Sequence, residues 1–386
     1  MALLVGISWL LLTEGLPVSS SLPVSGLLSS AALARTPSKT APRNAKRAKS
    51  RKPRPLPRVP KPVLGDDPGV PLRDSWERHL KAFLEMSGTT FGAFVAVDPA
   101  SGRPLAVAEH SRNPKFARHP ALEARFPAAS IFKIVSAAAL LEKVGDGLSA
   151  CYHGGSGGLT EDHLRDSAKR DRACRSLASA FAHSTNAVFA KLVLKHLGAE
   201  VLYEFAERLG FNHRLRVGDY TTLSTARKAK TPLDLGRMAA GFTNTYLSPL
   251  HGAVLGAMIA NGGRWPSEVR VDGHDPDPGA AGPILSPRTV SRLRSMMRLA
   301  ASDGTGRKYL AGFSRGVAVK TGTLTSRDGS GLFNTWMVGF YPADKPEFAF
   351  AALLSTQGGG PIKAGHLTRF AIETFQRLKK ARAGRS

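Results

Sequence analysis

The stretch "FPAASIFKIVSAAALLEKV", residues 126–144, contains a serine and a lysine three positions apart, Ser130 and Lys133. The run that follows them predicts a helix that begins near Ser130. Positions i and i+3 lie on one helix face, so the two polar side chains are expected to meet. A hydroxyl at a helix N-terminus lies among free N–H donors, which suits developing negative charge. The pair is therefore either a nucleophile with its base or an ordinary polar helix end.

Acyl chemistry needs a particular environment for this pair. A serine hydroxyl is a poor nucleophile until a base takes its proton. A lysine serves as that base only if burial or a neighbouring cation lowers its pKa. Phe132, Ile134 and Val135 are apolar neighbours that favour burial of Lys133. The S-x-x-K pattern occurs once in the chain, but alone it is a weak signal.

Two further motifs follow in an informative order. Ser184-Thr-Asn186 lies between predicted helices, and Lys320-Thr-Gly-Thr323 ends a β-like run. S-x-N occurs a second time, at Ser111–Asn113, whereas K-T-G occurs once. The order S-x-x-K, S-x-N, K-T-G is typical of class A β-lactamases and penicillin-binding proteins.

The pattern around the motifs predicts the architecture. Helices are predicted at 75–88, 174–210 with a break at Gly198, 232–261 and 364–381, a β-hairpin at 91–110, and strands at 313–323, 333–341 and 347–355. Strands therefore lie near both ends of the body, and helices fill its middle. This order predicts an α/β fold of the α+β kind, with an antiparallel sheet flanked by helices and a separate all-helical lobe. A site is expected where lobe and sheet meet.

From about residue 91 to 375 the sequence resembles the penicillin-binding protein transpeptidase family, within the serine β-lactamase and D,D-peptidase superfamily. The segments that carry the resemblance are "FPAASIFK", "STNAVFAKLV", "ANGGRWP", "SPRTVSRLRSMMRLAASDGTGRKYL" and "VKTGTLTSRDGSGLFNTWMVGFYPADKPEFAFAALLS". The resemblance implies a β-lactamase-like fold and a serine D,D-transpeptidase that acts on D-alanyl-D-alanine peptidoglycan stem peptides. It also implies binding of β-lactam antibiotics and no cofactor or metal.

The resemblance also implies catalytic roles. Ser130 would attack the substrate carbonyl, and Lys133 would accept its proton. Ser184 would relay a proton toward the leaving amine, with Lys320 in the same network. These groups supply a nucleophile, a base and an acid for the leaving group, as acyl transfer requires.

Four residues are implied in substrate binding. Asn186 would hydrogen-bond the substrate amide. Gly322 is the glycine of the K-T-G motif. Thr321 and Thr323 on either side of it would hold the terminal carboxylate beside Lys320. Backbone N–H groups of Ser130 and Thr323 would form the oxyanion hole.

Several alternatives stay open at this point. A D,D-carboxypeptidase or a β-lactamase differs from a transpeptidase only in what attacks the acyl-enzyme. No E-x-x-L-N lies between Asn186 and Lys320, so the deacylating glutamate of class A β-lactamases has no counterpart in that segment. The S-x-N element argues against class D β-lactamases. A sensor of β-lactams or muropeptides that acylates without turnover is the alternative from another class. A nucleic-acid-binding module explains the basic charge but not the three motifs, so nucleic acid is not an expected partner. The cross-link type, partner proteins and oligomeric state stay undetermined.

The N-terminal region predicts export. Residues 1–34 read as a signal peptide, with an apolar run and an "AALA" cleavage pattern at 31–34. Residues 35–72 read as a Pro-rich disordered linker, and residues 35–65 contain eleven Lys or Arg and no acid. The catalytic domain is expected at 73–386. We expect a soluble or peripheral protein of the periplasm or cell envelope, whose linker contacts anionic wall or membrane. The formal net charge of +25 agrees with such a partner.

The two cysteines are Cys151 and Cys174. In an exported chain they predict one disulfide. Free thiols are a second interpretation. A zinc site formed with His153 and His163 is a third, although the spacing fits no common zinc motif.

Overall fold

The computed structural model describes residues 69–273, 282–313 and 316–384. These residues belong to one compact unit that comprises Leu56–Ser386. The predicted signal peptide, and the predicted linker up to residue 68, lie outside the described residues. The first helix begins at Leu72, next to the expected start of the domain. Within the described ranges, no helix is long and apolar enough to cross a membrane.

Helices and strands are numbered in chain order. The helices are α1 Leu72–Met86, α2 Lys133–Lys143, α3 Leu177–Ala182, α4 Asn186–His196, α5 Gly198–Arg208, α6 Pro232–Ala240, α7 Pro249–Ala260, α8 Pro287–Ser302, α9 Arg307–Leu310 and α10 Ala364–Ala383. The strands are β1 Phe91–Val97, β2 Pro104–Ser111, β3 Phe126–Pro127, β4 Ser149–Tyr152, β5 Ala173–Ser176, β6 Arg214–Val217, β7 Tyr220–Leu223, β8 Thr225–Ala226, β9 Thr245–Leu247, β10 Arg270–Val271, β11 Ala318–Thr325, β12 Leu332–Tyr341 and β13 Phe348–Gln357. Two 3₁₀ helices span Ala129–Phe132 and Glu161–Leu164.

The central sheet is built from both ends of the described chain, as predicted. Its five antiparallel strands lie in the order β11-β12-β13-β1-β2. Strand β1 pairs with the last strand, so that Phe91 lies opposite Ser355. Strand β11, which carries the K-T-G motif, forms one edge and pairs only with β12 in this sheet.

Both faces of the sheet are buried, which explains why its strands read as apolar runs. Along β1, Phe94 and Ala96 pack into the core beneath α1 and α10, whereas Ala93 and Val95 pack toward α7 and the helical lobe. The Trp76 indole N–H donates to the Ala371 carbonyl at 3.0 Å and joins α1 to α10. The sheet therefore separates two cores, and the three motifs lie on the side of the helical lobe.

The helical lobe contains α2 to α8, together with small two- and three-stranded sheets. Several helix boundaries differ from the prediction. The predicted helical run over 174–210 is interrupted at residues 183–185, between α3 and α4, as well as next to Gly198. Residues 174–176 belong to strand β5, which pairs with β4. The predicted helix over 232–261 is two helices separated by β9, because Gly241 ends α6 in the left-handed conformation.

Candidate active site

Ser130 lies on a tight turn in front of α2. The turn is the 3₁₀ helix Ala129–Phe132, and α2 begins at Lys133. A 3₁₀ helix has three residues per turn, so the side chains at i and i+3 are in line. This geometry places Lys133 Nζ 2.8 Å from Ser130 Oγ. The structure thus brings together the pair that the sequence predicted.

The turn is held in place by the end of α6. Ala129 has a positive φ of 49°, which is uncommon for a residue other than glycine. Its carbonyl faces Gly241, where a Cβ would lie only 1.8 Å from the Ala129 oxygen. Gly241 also has a positive φ of 82°. Glycine is therefore needed at 241 both for its conformation and for the close backbone approach.

Lys133 is fully buried and is surrounded by hydrogen-bond acceptors. Besides Ser130, Nζ contacts Asn186 Oδ1 at 2.6 Å and the Ala240 carbonyl at 3.2 Å. Burial holds the pKa of Lys133 well below its ordinary value, and the nearby charge of Lys320 lowers it further. A lysine with a depressed pKa loses its proton more readily than an ordinary lysine, and its neutral amine can accept the proton of a serine.

Ser184 lies between the two lysines. Its φ of 57° places it in the left-handed region, in the short connection between α3 and α4. Its hydroxyl lies 3.1 Å from Lys320 Nζ and 3.4 Å from Lys133 Nζ. A hydroxyl both donates and accepts, so Ser184 can pass a proton between the lysines and a bound group.

Lys320 is buried on β11, and Nζ also donates to the Thr321 carbonyl at 2.8 Å. Burial lowers the pKa of Lys320 to about 7. Its charge is therefore sensitive to small changes near neutral pH. The structure brings Lys320 into the same network as Ser130, Lys133 and Ser184, as the motif order predicted.

Asn186 is buried at the start of α4, and both of its polar atoms are engaged. Oδ1 accepts from Lys133, and Nδ2 donates to the carbonyls of Gly155 at 3.0 Å and Ser156 at 3.3 Å. The predicted hydrogen bond from Asn186 to a substrate amide is thus not open in this structure. Asn186 instead joins Lys133 to the loop after β4, a contact that the sequence did not indicate.

That loop is closed by a disulfide between Cys151 and Cys174, which lie opposite each other on β4 and β5. Lys191 on α4 anchors the loop, since Nζ contacts Asp171 at 2.6 Å and the Cys151 carbonyl at 3.0 Å. His153 pairs with Asp171 rather than with the cysteines. No cluster of metal-ligating side chains is present within the described ranges.

The K-T-G strand packs directly on the turn that carries Ser130. A Cβ at Gly322 would lie 3.3 Å from both Ala129 and Ile131, so glycine permits the close approach of β11. The side chain of Thr323 is exposed on the strand. The hydroxyl of Thr321 hydrogen-bonds that of Thr305, which precedes α9. Thr305 was not predicted as a site residue, although it lies within the quoted "SDGTG" segment.

Comparison with known proteins identifies the class to which this fold and site belong. A family model described as the penicillin binding protein transpeptidase domain matches residues 92–370. The chain therefore belongs to this family and contains a penicillin-binding transpeptidase domain. A search of curated protein sequences found no match.

Solved structures agree with this assignment. The D,D-transpeptidase domain of a peptidoglycan glycosyltransferase from Eggerthella lenta is 23% identical with a TM-score of 0.61, covering 80% of this chain and 82% of that chain. The transpeptidase domain of penicillin-binding protein 3 from Burkholderia pseudomallei is 18% identical with a TM-score of 0.63, covering 80% and 93%. The ceftriaxone acyl-enzyme complex of penicillin-binding protein A from Mycobacterium tuberculosis is 21% identical with a TM-score of 0.60, covering 79% and 78%. At these identities the similarity establishes the fold, which confirms the predicted β-lactamase-like architecture.

Proposed function

We propose that this protein is an exported serine D,D-transpeptidase that acts on D-alanyl-D-alanine stem peptides through an acyl-enzyme on Ser130. One observation carries the proposal. Ser130 Oγ lies 2.8 Å from the amine of Lys133, which is fully buried. This burial lowers the pKa of Lys133. A hydroxyl beside a neutral amine is an activated nucleophile.

The positions of the side chains support the following steps for acylation of Ser130. Ser130 Oγ forms a bond to the carbonyl carbon of the penultimate D-alanine, and its proton moves to Lys133 Nζ. The C–N bond to the terminal D-alanine then breaks, and Ser184 passes a proton to the leaving amine. The 3.4 Å and 3.1 Å contacts of Ser184 with the two lysines support this relay.

The remaining residues bind the substrate and the developing charge. Lys320, Thr321 and Thr323 form the side of the cleft that would hold the terminal carboxylate. Thr323 and Ser130 would offer backbone N–H groups to the oxyanion, because Gly322 packs on the turn that carries Ser130. Such preorganised donors commonly contribute 10²–10³-fold each to the rate.

The second half needs an acceptor. An amine from another stem peptide attacks the ester carbonyl, the new amide forms, and Ser130 recovers its proton. If water attacks instead, the same site acts as a D,D-carboxypeptidase, and on an opened penicillin as a β-lactamase. The proposal is for amine transfer, and it is supported by the family to which the chain belongs.

Labelling with a fluorescent penicillin tests the acylation half. We expect a covalent adduct that lasts for minutes or longer, and peptide mass spectrometry should locate it on Ser130. Ser130→Ala should abolish the adduct, and Lys133→Ala should slow its formation by about 10³-fold because the base is lost. An adduct on another residue, or none on folded protein, would contradict the proposal.

Product analysis tests the transfer half. A stem peptide that ends in D-alanyl-D-alanine is incubated with a labelled D-amino acid as acceptor, and mass spectrometry reports the product. Exchange of the terminal D-alanine for the labelled residue is the expected result. Trimmed peptide alone would indicate a carboxypeptidase, and many turnovers of penicillin would indicate a β-lactamase. Acylation without any turnover would indicate a sensor.

A further inference from the structure

A cavity of about 190 Å³ lies at the far end of β11, beside the proposed active site. Its apolar lining includes Phe242, Tyr246 and Leu324. Phe242 follows the glycine that packs on the Ser130 turn, and Leu324 follows Thr323 in the strand. The cavity is therefore lined by residues that adjoin the motif residues in the chain.

Two arginines, Arg227 and Arg327, also line this cavity. Both are exposed, and among the described residues neither has a carboxylate within ion-pair distance. They come from different elements, since Arg227 follows β8 and Arg327 lies in the turn between β11 and β12. The cavity thus presents two guanidinium groups that no carboxylate of the described residues pairs with.

The acidic side chains near this cavity are already engaged. Asp328, which also lines it, accepts from the backbone and hydroxyl of Ser330 in its own turn. Asp234, at the start of α6, accepts from the side chains of Thr243 and Asn244. Neither carboxylate is directed to the two arginines, so their charge remains available to a ligand.

The proposed reaction fixes the direction in which a substrate would extend. Its terminal carboxylate would lie beside Lys320 and Thr321, and its scissile carbonyl beside Thr323. The acyl half must therefore continue along β11 beyond Thr323. A strand rises about 3.3 Å per residue, so Thr325, which lines the cavity, is about 7 Å further along.

We infer that this cavity, defined here as the arginine subsite, binds a carboxylate on the acyl-donor peptide, in the residue that precedes D-alanyl-D-alanine. The inference rests on the proposed function, because that function sets the direction of the substrate. Guanidinium groups bind carboxylates through paired, charge-assisted hydrogen bonds. The apolar lining would accommodate the methylene groups that carry the carboxylate.

Two peptides test the subsite, acetyl-Glu-D-Ala-D-Ala and acetyl-Gln-D-Ala-D-Ala, which differ only in a carboxylate and an amide. The measurement is exchange of the terminal D-alanine for a labelled D-amino acid. We expect the unchanged protein to use the glutamyl peptide about tenfold better in kcat/KM, because the neutral amide cannot form the charge-assisted hydrogen bonds of the carboxylate. Arg227→Gln combined with Arg327→Gln should remove this preference and leave the glutaminyl rate within about twofold.

The matched control replaces Arg73 and Arg78 by glutamine. Both lie exposed on α1, which packs on the other face of the sheet, and the change in net charge is the same. The control should keep the preference, and penicillin labelling should persist in all three proteins. Equal rates for the two peptides in the unchanged protein would overturn the inference. The inference would also be overturned if the Arg227/Arg327 variant lost kcat/KM equally for both peptides, or if the Arg73/Arg78 control lost the preference for the glutamyl peptide. Loss of penicillin labelling in the Arg227/Arg327 variant alone would overturn it as well. Absent labelling in the unchanged protein would instead refute the proposed function.

Discussion

Thr305 and Thr321 share a hydrogen bond between their side-chain hydroxyls, across the gap between the α8–α9 connection and β11. The Thr305 amide also donates to the Ala182 carbonyl at 3.0 Å, two residues before Ser184. A threonine hydroxyl has one proton. The Thr305 hydroxyl has two acceptors within reach, the Ala182 carbonyl at 3.3 Å and the closer Thr321 hydroxyl. When Thr305 donates its proton to Thr321, the proton of Thr321 is free to point into the cleft. Thr305 is thus placed to orient the hydroxyl that we expect to bind the substrate carboxylate.

Replacing Thr305 by valine tests this arrangement. Valine keeps the branched shape and removes the hydroxyl, so the Thr321 hydroxyl would lose the hydrogen bond that orients it. We expect about a tenfold loss in kcat/KM for a peptide with a free terminal carboxylate, the value of one hydrogen bond to a charged group. A peptide with an amidated terminus should lose little. Thr305→Ser keeps the hydroxyl and should behave nearly as the unchanged protein. Equal losses for both peptides would assign Thr305 a purely structural role.

The pH dependence of acylation should report the coupling of the two buried lysines. The charge of Lys320 lowers the pKa of Lys133, and only the neutral form of Lys133 can accept a proton. The rate should therefore fall as pH decreases through the pKa of Lys133. Lys320→Gln removes the like charge, so this acidic limb should move to higher pH, whatever the loss in absolute rate.

Stopped-flow labelling with a fluorescent penicillin between about pH 5 and pH 9 measures this limb. Lys195→Gln is the control, because Lys195 lies exposed on α4 and its replacement changes the net charge by the same amount. The acidic limb of the pH–rate profile of Lys195→Gln should coincide with that of the unchanged protein. An unmoved limb in Lys320→Gln would mean that the titrating group is not Lys133.

Removing the disulfide should weaken both stability and the site. Replacement of Cys151 and Cys174 by serine frees a loop of about 24 residues, and the chain-entropy model assigns such a cross-link about 3 kcal/mol of unfolding free energy. Acylation should also slow, because Asn186 contacts the loop carbonyls of Gly155 and Ser156. Denaturant unfolding and penicillin labelling are the two measurements. An unchanged labelling rate in a destabilised protein would separate the loop from catalysis.

Gly241→Ala should disrupt the turn that carries Ser130, because the added methyl group would overlap the Ala129 carbonyl. Gly262→Ala is the matched control, since Gly262 also has a positive φ but has nothing within 4 Å of its Cβ position. The control should cost only the conformational strain of about 1 kcal/mol. Gly241→Ala should cost several times more in denaturant unfolding, or abolish penicillin labelling. Equal costs would mean that the close approach is readily relieved.

The basic linker predicted from the sequence should act by charge. We expect the mature protein to bind isolated cell wall, and about 0.5 M salt to weaken this binding, because screening shortens the range of the charges. Deletion of residues 35–62 should reduce wall binding while leaving penicillin labelling unchanged. Equal wall binding by the shortened protein would exclude the linker as a tether.

The sequence predicted the central sheet because its strands are strongly apolar and the turns between them contain Gly, Pro and Ser. It also predicted which motifs meet. S-x-x-K, S-x-N and K-T-G each occur in a recognisable local context, and the structure brings Ser130, Lys133, Ser184 and Lys320 into one network. The family assignment confirms the interpretation of their order.

What the sequence did not predict depends on long-range contacts. Thr305 and Gly241 act through neighbours that are remote in the chain, and no periodicity in the sequence reveals such contacts. The strand at 174–176 was missed because its short alternating run lies beside a helix, and its pairing with β4 stabilises it. The engagement of Asn186 by the loop was hidden for the same reason, since a motif gives no information about the backbone that packs on it.

The pairing of β1 with β13 has a consequence for the order in which this protein can assemble during synthesis. Phe91 lies opposite Ser355 in the sheet. The central strand pair therefore cannot form until nearly the whole domain has left the ribosome. Lys320 belongs to the same late part of the chain, and Ser130 has emerged long before it. Contacts of such large sequence separation form slowly. A nascent or truncated chain that ends before β11 therefore contains Ser130, Lys133 and Ser184 without Lys320, and their network is completed only when the last strands arrive.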